Sequence, residues 1–309
     1  MRPPQAPPAD VGVVIVCHNQ AAVLPACLES LLARTGDASM ALTVVDSGSH
    51  DDIERVARSY PVTFLRGPNM GFAAAVNRAL AAGAVGRARY LLLVNPDTEM
   101  RTGTLSQLLA LCDKRPRCGV VGTHQVDEYG ELIPTMAREP SPADYWHTWR
   151  TGLPVWHWDG ARYQAESRCA WVSGSWMLIR RQALEQVGRL DERFFLYSEE
   201  TDLCKRIRDR GWEVAYLPQV TVMHRVADRP FNAHLWRVLV WSQLLYMRKW
   251  FGVRERASMR LALAATSARG ILRARRTGKP DAPDRVALAA SLWFRPGRYG
   301  PEPEGETSR

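Results

Sequence analysis

No C-x-x-C pair occurs anywhere in the 309 residues: Cys17, Cys27, Cys112, Cys118, Cys169 and Cys204 stand apart. That spacing excludes a zinc knuckle and a disulfide framework, and reduced thiols fit a cytoplasmic setting. Also missing is an apolar run of about eighteen residues, the length a membrane-spanning helix needs. The strongest candidate, Leu235 to Met247, is short and carries Arg237. The first ten residues, MRPPQAPPAD, lack the apolar stretch of a secretory signal, and their prolines read as a disordered lead-in; residues 299–309 read as a disordered tail. Acids are scarce near the C-terminus: from His234 to Lys279 eleven Lys or Arg face one acid, Glu255.

What is present begins with a hydrophobic fraction of 46%, enough for a substantial core, and a net charge of +9, which calls for an anionic partner. Val11 to Val16 is a β-branched apolar run ending at Cys17-His18-Asn19, the pattern of a buried strand. A helix follows in AAVLPACLESLLAR, where Val23, Leu24, Cys27, Leu28, Leu31 and Leu32 recur at helical spacing with Pro25 in the first turn. The alternation continues with a strand at Ala41 to Val45, another at Val62 to Leu65, a helix at Gly71 to Ala82 and a strand at Tyr90 to Val94. Such alternation predicts an α/β fold with a mostly parallel sheet flanked by helices. Ligands bind such sheets at the carboxyl ends of the strands, where Asn19, Asp46 and Asp97 fall.

From Gly119 the texture changes to shorter polar pieces, with a loop expected over Glu139 to Glu166 carrying Trp146, Trp149, Trp156 and Trp158. A strand is expected near Trp171 to Ile179, a helix from Ser198 to Gly211 with Ser198 as its N-cap, and a strand near Val220 to His224. The reading divides the chain into a catalytic domain at 11–225, with a donor-binding half at 11–118 and an acceptor-facing half at 119–225, and a basic helical extension at 226–298.

Single residues along this path carry chemistry only weakly. Asp46 at a strand end can accept a hydrogen bond from a pyrimidine N3–H, or it can cap a turn. Asp97 can hold a hard cation against phosphates, or cap a helix. Glu199, Glu200 and Asp202 crowd three carboxylates onto one helical turn. Such an arrangement gives either a general base of raised pKa or a solvated acidic helix start. His224 can ligate a metal or simply end a strand.

Together these segments resemble the inverting family two glycosyltransferases of GT-A fold, the Rossmann-like nucleotide-diphospho-sugar transferases, in particular their rhamnosyltransferase-like branch. The resemblance rests on VVIVCHN (Val13 to Asn19), VVDSGSHDD (Val44 to Asp52), NMGFAAAVNRAL (Asn69 to Leu80) and LLLVNPD (Leu91 to Asp97). It continues in WVSGSWMLIRR (Trp171 to Arg181), GRLDERFFLYSEETDLCKRIRDRG (Gly188 to Gly211) and the isolated His224. It implies a donor site of Cys17, Asn19, Asp46, Ser47, Asn69, Gly71, Asn77, Asn95 and Asp97, with Asp46 reading the base. It further implies Mg²⁺ or Mn²⁺ held by Asp97 and His224, and a catalytic base at Glu200, assisted by Asp202 or Glu199. Trp171, Gly174, Ser175 and Trp176 fall on the acceptor side.

Three positions depart from the family pattern, which usually has Asn at 47, Thr at 50 and Asp at 200, where this chain has Ser47, His50 and Glu200. The implied substrates are a dTDP- or UDP-linked sugar, with dTDP-rhamnose favoured, and a glycan or polyprenyl-diphosphate-linked hydroxyl; a soluble natural product is the alternative acceptor. The basic, Trp-bearing C-terminal helices suit the inner face of an anionic plasma membrane or, equally, plain packing. A dinucleotide-dependent oxidoreductase fits poorly, because the first strand leads into Cys17-His18-Asn19-Gln20 and not G-x-G-x-x-G. A non-catalytic sugar-nucleotide sensor or a nucleic-acid binder has no use for the acids at 199–202, so no nucleic acid is expected.

Overall fold

The computed structural model describes residues 9–152, 160–225 and 233–277, together with Arg285 and Leu288. Trp156, Trp158, most of the lead-in and the tail at 299–309 lie outside the described residues. The N-terminal part runs β1 (Val11–Cys17), α1 (Leu24–Ala33), β2 (Met40–Ser47), α2 (Ile53–Ala57), β3 (Thr63–Gly67), α3 (Phe72–Ala81), β4 (Tyr90–Val94), β5 (Thr98–Thr102), α4 (Leu105–Asp113) and β6 (Cys118–Val126). It continues through β7 (Met136–Ala137), α5 (Pro142–Thr151), a 3₁₀ turn, β8 (Ser167–Arg168), β9 (Trp171–Val172), β10 (Trp176–Arg180), α6 (Arg181–Val187), α7 (Glu199–Asp209) and β11 (Glu213–His224). The C-terminal helices α8 (Ala233–Trp250) and α9 (Val253–Thr277) follow.

The main sheet has the order β3-β2-β1-β4-β10-β6-β11-β5, with β8 on β11. Strands β3, β2, β1 and β4 pair in parallel, as β-branched runs joined by helices demand. Strand β10 inserts antiparallel between β4 and β6, so one continuous sheet joins the two halves of residues 11–225. One face buries Val13, Ile15, Leu92 and Trp176 beneath α1, α2 and α4, and the other buries Val14, Val45, Leu93 and Met177 beneath α3, α6 and α7. The period-two alternation of side chains along each strand separates these sets.

Three local expectations are corrected. The strand expected over Trp171 to Ile179 is two: β9 pairs with β7 in a small separate sheet, and β10 joins the main sheet after Ser173-Gly174-Ser175. The last strand starts at Glu213 and not at Val220; its register on β6 shifts between Leu217 and Thr221, around Pro218, which cannot donate to a ladder. The loop expected over Glu139 to Glu166 contains a helix, α5, with a Ser141/Asp144 capping box, Pro142 in its first turn and Gly152 at φ +78° behind it.

Helix α5 packs on α9, with Tyr145, Val240, Met247 and Met259 in a C-terminal core. Among the described residues no helix is long and apolar enough to cross a membrane, and all six cysteines are free.

Candidate active site

The carboxyl ends of β1, β2 and β4 converge on one edge, as the sequence predicts. At β2 the carboxylate of Asp46 is wholly buried; its Oδ1 accepts from Ser49 N at 2.8 Å and its Oδ2 lies 3.2 Å from Arg66 Nε. One oxygen therefore caps the turn, and the other faces the Arg66 guanidinium. Asn19, left-handed at φ +54°, accepts from His50 N at 2.8 Å and donates its own N–H to Ser49 Oγ, locking the β1 tip to the β2 turn. Ser47 Oγ lies 3.4 Å from Asn69 Oδ1, which also accepts from Gly71 N.

Gly71 sits at φ +91°, where an added Cβ would fall 2.2 Å from Phe195 O, and Phe72 N donates to that same oxygen at 2.8 Å. A cavity of about 600 Å³ opens between the end of β2 and α3, walled by Asp46, Ser47, Met70, Arg78, Arg189 and Glu192.

Two side chains expected at the donor are engaged elsewhere. Cys17 is fully buried in the core beneath α1, so only its backbone reaches the edge, and burial pushes its thiol well up. Asn77 borders the cavity, but its amide exchanges hydrogen bonds with both Leu190 N and Leu190 O and donates to Glu192 Oε1. It fixes the loop leading to α7.

Trp176, expected on the acceptor side, is a core residue with no exposure; in β10 it and Leu178 face α1 and α4 while Met177 and Ile179 face the opposite helices. Trp171 is half-buried and donates Nε1–H to Arg138 O.

Asp97 follows β4 by three residues and is 5% exposed. His224, the last residue of β11, pairs in register with Thr98 of β5, which brings its Nε2 to 3.4 Å from Asp97 Oδ1. Among the described residues no cluster of three or more His, Cys, Asp or Glu side chains forms. The pair offers one hard oxygen and one imidazole nitrogen that could face a cation. A divalent cation there would complete its shell with phosphate oxygens and water, the usual arrangement where substrate phosphates share the metal.

The third group is Glu200. Asn95 N, two residues before Asp97, donates to Ser175 O at 2.8 Å, and the neighbouring Gly174 offers a bare backbone where a Cβ would stand 3.6 Å from Glu200 Cβ. This short path carries the first turn of α7 to the strand-end edge that bears Asp97 and His224. Glu200 is half-buried, and its Oε2 has no hydrogen-bond partner among the described residues; burial pushes its carboxyl up to about 7.

Glu199 is buried outright, and burial together with the charge on Glu200 holds it well above the usual carboxylate range. The three acids are therefore not a solvated helix start. Asp202 is fully buried with both oxygens occupied, by Arg206 Nε at 2.9 Å, Trp250 Nε1 at 2.8 Å and Lys249 Nζ at 2.5 Å. Ser198, left-handed at φ +66°, stands before α7 but makes no side-chain cap.

Sequence reading missed Arg66, Arg78 and Arg189 beside the Asp46 cavity, and Lys249 and Trp250 behind Asp202. Arg66 lies outside the recurring segments, and Arg78 and Arg189 lie inside two of them at positions that carry no chemistry by residue type alone. The other two sit in a basic helix whose charge resembles a solvated surface.

The mostly parallel sheet thus carries a buried aspartate at one strand end and an Asp–His pair at another, with Glu200 in the first turn of α7. Residues 7–242 match the glycosyltransferase like family 2 model. The chain is 32% identical over 239 residues, 70% of its length and 76% of the relative's, to an N-acetylglucosaminyl-diphospho-decaprenol L-rhamnosyltransferase of Mycobacterium tuberculosis. It is 23% identical over 220 residues, 69% of its length and 83% of the relative's, to the rhamnosyltransferase WbbL of Escherichia coli.

Among solved structures, GalNAc-T7 with UDP, GalNAc and Mn²⁺ is similar in fold, at 16% identity and a TM-score of 0.60 over 83% of this chain and 51% of that one. A Pyrobaculum calidifontis mannosyltransferase with GDP-Man and Mn²⁺ is similar at 18% identity and a TM-score of 0.55, over 92% of this chain and 80% of that one. The chain belongs to glycosyltransferase family 2 and is a glycosyltransferase with rhamnosyltransferase homologues.

Proposed function

We propose that the enzyme moves rhamnose from dTDP-rhamnose to a hydroxyl of a polyprenyl-diphosphate-linked glycan, with inversion at the anomeric carbon. The observation that carries the reaction type is the enclosed Glu200 beside Gly174, one hydrogen bond from the segment bearing Asp97. The substrate assignment leans on the relatives named above. In this reading Asp46 Oδ2 and the cavity next to it take the base, and residues 11–118 hold the donor while 119–225 present the acceptor and the catalytic groups.

Asp97 and His224 fit Mg²⁺ or Mn²⁺, since a carboxylate and an imidazole 3.4 Å apart converge on one point at the strand ends. A cation bound there offsets the negative charge gathering on the departing diphosphate. Glu200 takes the proton of the acceptor hydroxyl as its oxygen attacks the anomeric carbon, and the bond from that carbon to the diphosphate oxygen breaks. One displacement leaves no covalent sugar–enzyme species. Glu199 is buried beside Glu200, and burial with the charge on Glu200 raises its carboxyl well above the usual range.

Helix α9 presents Val253, Leu261 and Leu272 to solvent among the exposed Arg254, Arg273, Arg275 and Arg276, a surface suited to an anionic bilayer holding a lipid-linked acceptor. Sedimentation with acidic liposomes checks the membrane part: salt-sensitive pelleting supports it, and retention in the supernatant at all salt concentrations rejects it.

The test of the whole reading is a panel of dTDP-, UDP- and GDP-linked sugars with a decaprenyl-diphosphate-linked N-acetylglucosamine acceptor. Nucleoside diphosphate release should require dTDP-rhamnose, the acceptor and a divalent cation together. Release with another donor, or only with a soluble acceptor, overturns the assignment of substrates.

A further inference from the structure

Helix α8 is fastened to α7 and to the loop before it at several points. Ser242 Oγ donates to Leu196 O at 2.8 Å. Tyr246 OH donates to Glu139 Oε1, and Glu139 in turn is ion-paired with Arg208 of α7. Lys249 Nζ lies 2.8 Å from Asp191 Oδ2 and 2.5 Å from Asp202 Oδ1, bridging the start of the loop to the first turn of the helix. Trp250 Nε1 donates to that same Asp202 oxygen, and the Trp250 ring is approached by Lys205 at 4.8 Å and by Lys249 at 5.2 Å.

A carboxylate with no exposure persists only when its charge is paired and its lone pairs are used, and Asp202 meets both conditions. Its two oxygens face Arg206, Lys249 and Trp250. Asp202 lies two residues beyond Glu200 on one helical turn, so whatever fixes it fixes the rotation of α7 and the direction of the Glu200 side chain.

The loop behind needs such a hold. Tyr197 and Ser198 are both left-handed without being glycine, a conformation that persists only where the surroundings impose it. Asp191 anchors the other end: burial pushes its carboxyl up, but hydrogen bonds from Arg193 and Lys249 outweigh this and hold it well below the usual carboxylate range.

We propose that Lys249 and Trp250 are positioning residues for sugar transfer: through Asp202 they hold Glu200 where it meets the acceptor hydroxyl. The inference rests on Glu200 being the base. It is tested in the full-length enzyme with Lys249→Met, Lys249→Arg and Trp250→Phe, each also made in the Glu200→Gln background.

Lys249→Met should lower kcat by ~10- to 100-fold while the donor KM stays within about twofold, since a small misplacement of a reacting group costs rate and not donor affinity. Lys249→Arg should recover most of the loss, because a guanidinium can reach both carboxylates. In the Glu200→Gln background Lys249→Met should cost nothing further, the signature of residues acting as one unit. A parental kcat for folded Lys249→Met, or an equal fold-loss in both backgrounds, overturns the proposal. Should Lys249→Met fail to fold, Trp250→Phe, which removes one hydrogen bond and keeps an aromatic ring, is read by the same criteria. A Glu200→Gln enzyme at the parental rate rejects the base assignment itself. An inactive Glu200→Gln enzyme beside a fully active Lys249→Met one rejects only the clasp.

Discussion

His224 Nε2 stands 3.4 Å from Asp97 Oδ1, although 126 residues of chain separate them, because β11 ends in register against β5. The carboxylate and the imidazole reach this distance through strand pairing and not through a local motif.

Asp97→Ala is expected to lower turnover by ~10³-fold or more and His224→Ala by ~10- to 100-fold, in line with losing a metal's main oxygen ligand or its second ligand. The folds should be unchanged by circular dichroism. Nucleoside diphosphate release against Mn²⁺ concentration checks this: both variants should need more Mn²⁺, and a parental Mn²⁺ requirement in both would remove the pair from the metal site.

The pH profile follows from Glu200, whose carboxyl burial raises to about 7. A base works ionised, so log kcat/KM should climb with unit slope below about pH 7 and level off above it. Glu200→Gln should lose ~10²- to 10⁴-fold and lose that slope with it. A flat parental profile between pH 5.5 and 7 contradicts the assignment (the range is set by the value of about 7).

Stability should move the other way. A carboxyl raised above its unfolded value keeps its proton in the folded state while the unfolded chain has lost it. Its presence therefore destabilises the fold increasingly as pH rises from the unfolded value toward about 7, and by a constant amount above that. Glu200→Gln should melt above the parent at pH 8, with the gap shrinking toward pH 4.5 (near the unfolded carboxyl value). Thermal scans at the two pH values decide; a variant less stable than the parent at pH 8 counts against an enclosed, ionisable Glu200.

Gly71→Ala tests the contact between α3 and the loop before α7. A methyl at φ +91° would fall 2.2 Å from Phe195 O, so the two segments must part. The change should cost on the order of 1–3 kcal/mol from backbone strain, with more from the clash, and should raise the donor KM because Asn69 and Ser47 shift with Gly71. An unchanged melting temperature would show that the approach of Gly71 to Phe195 is looser than described.

The central parallel strands are readable because they are largely buried: Val11 to Val16, Ala41 to Val45 and Leu91 to Val94 are mostly apolar runs ending in polar tips, and Asp46 and Asp97 follow the last two. The antiparallel half was obscured by short strands whose partners are remote in sequence. Trp171 to Ile179 reads as one strand until Ser173-Gly174-Ser175 is seen to send its ends to different sheets.

Local signals were also overlooked. Ser141, Pro142 and Asp144 before Gly152 spell out the caps of α5, yet the short polar pieces of this stretch read as a loop. By residue type the acids at 199–202 read only as a group, with the resemblance pointing to Glu200, and the fold shows their different surroundings: Glu200 beside Gly174, Asp202 against Lys249 and Trp250. Trp176 was misplaced for a related reason: a strand shows which residues alternate, and its neighbours decide which face is the core.

The most direct test of the account is a crystal structure of the enzyme with Mn²⁺ and the donor nucleoside diphosphate, read by the anomalous signal of the metal. The account predicts one Mn²⁺ peak bonded to Asp97 and His224 and to diphosphate oxygens, with Glu200 Oε2 opening onto the same cleft. A peak held by other side chains, or Glu200 on a surface the diphosphate does not share, would contradict it.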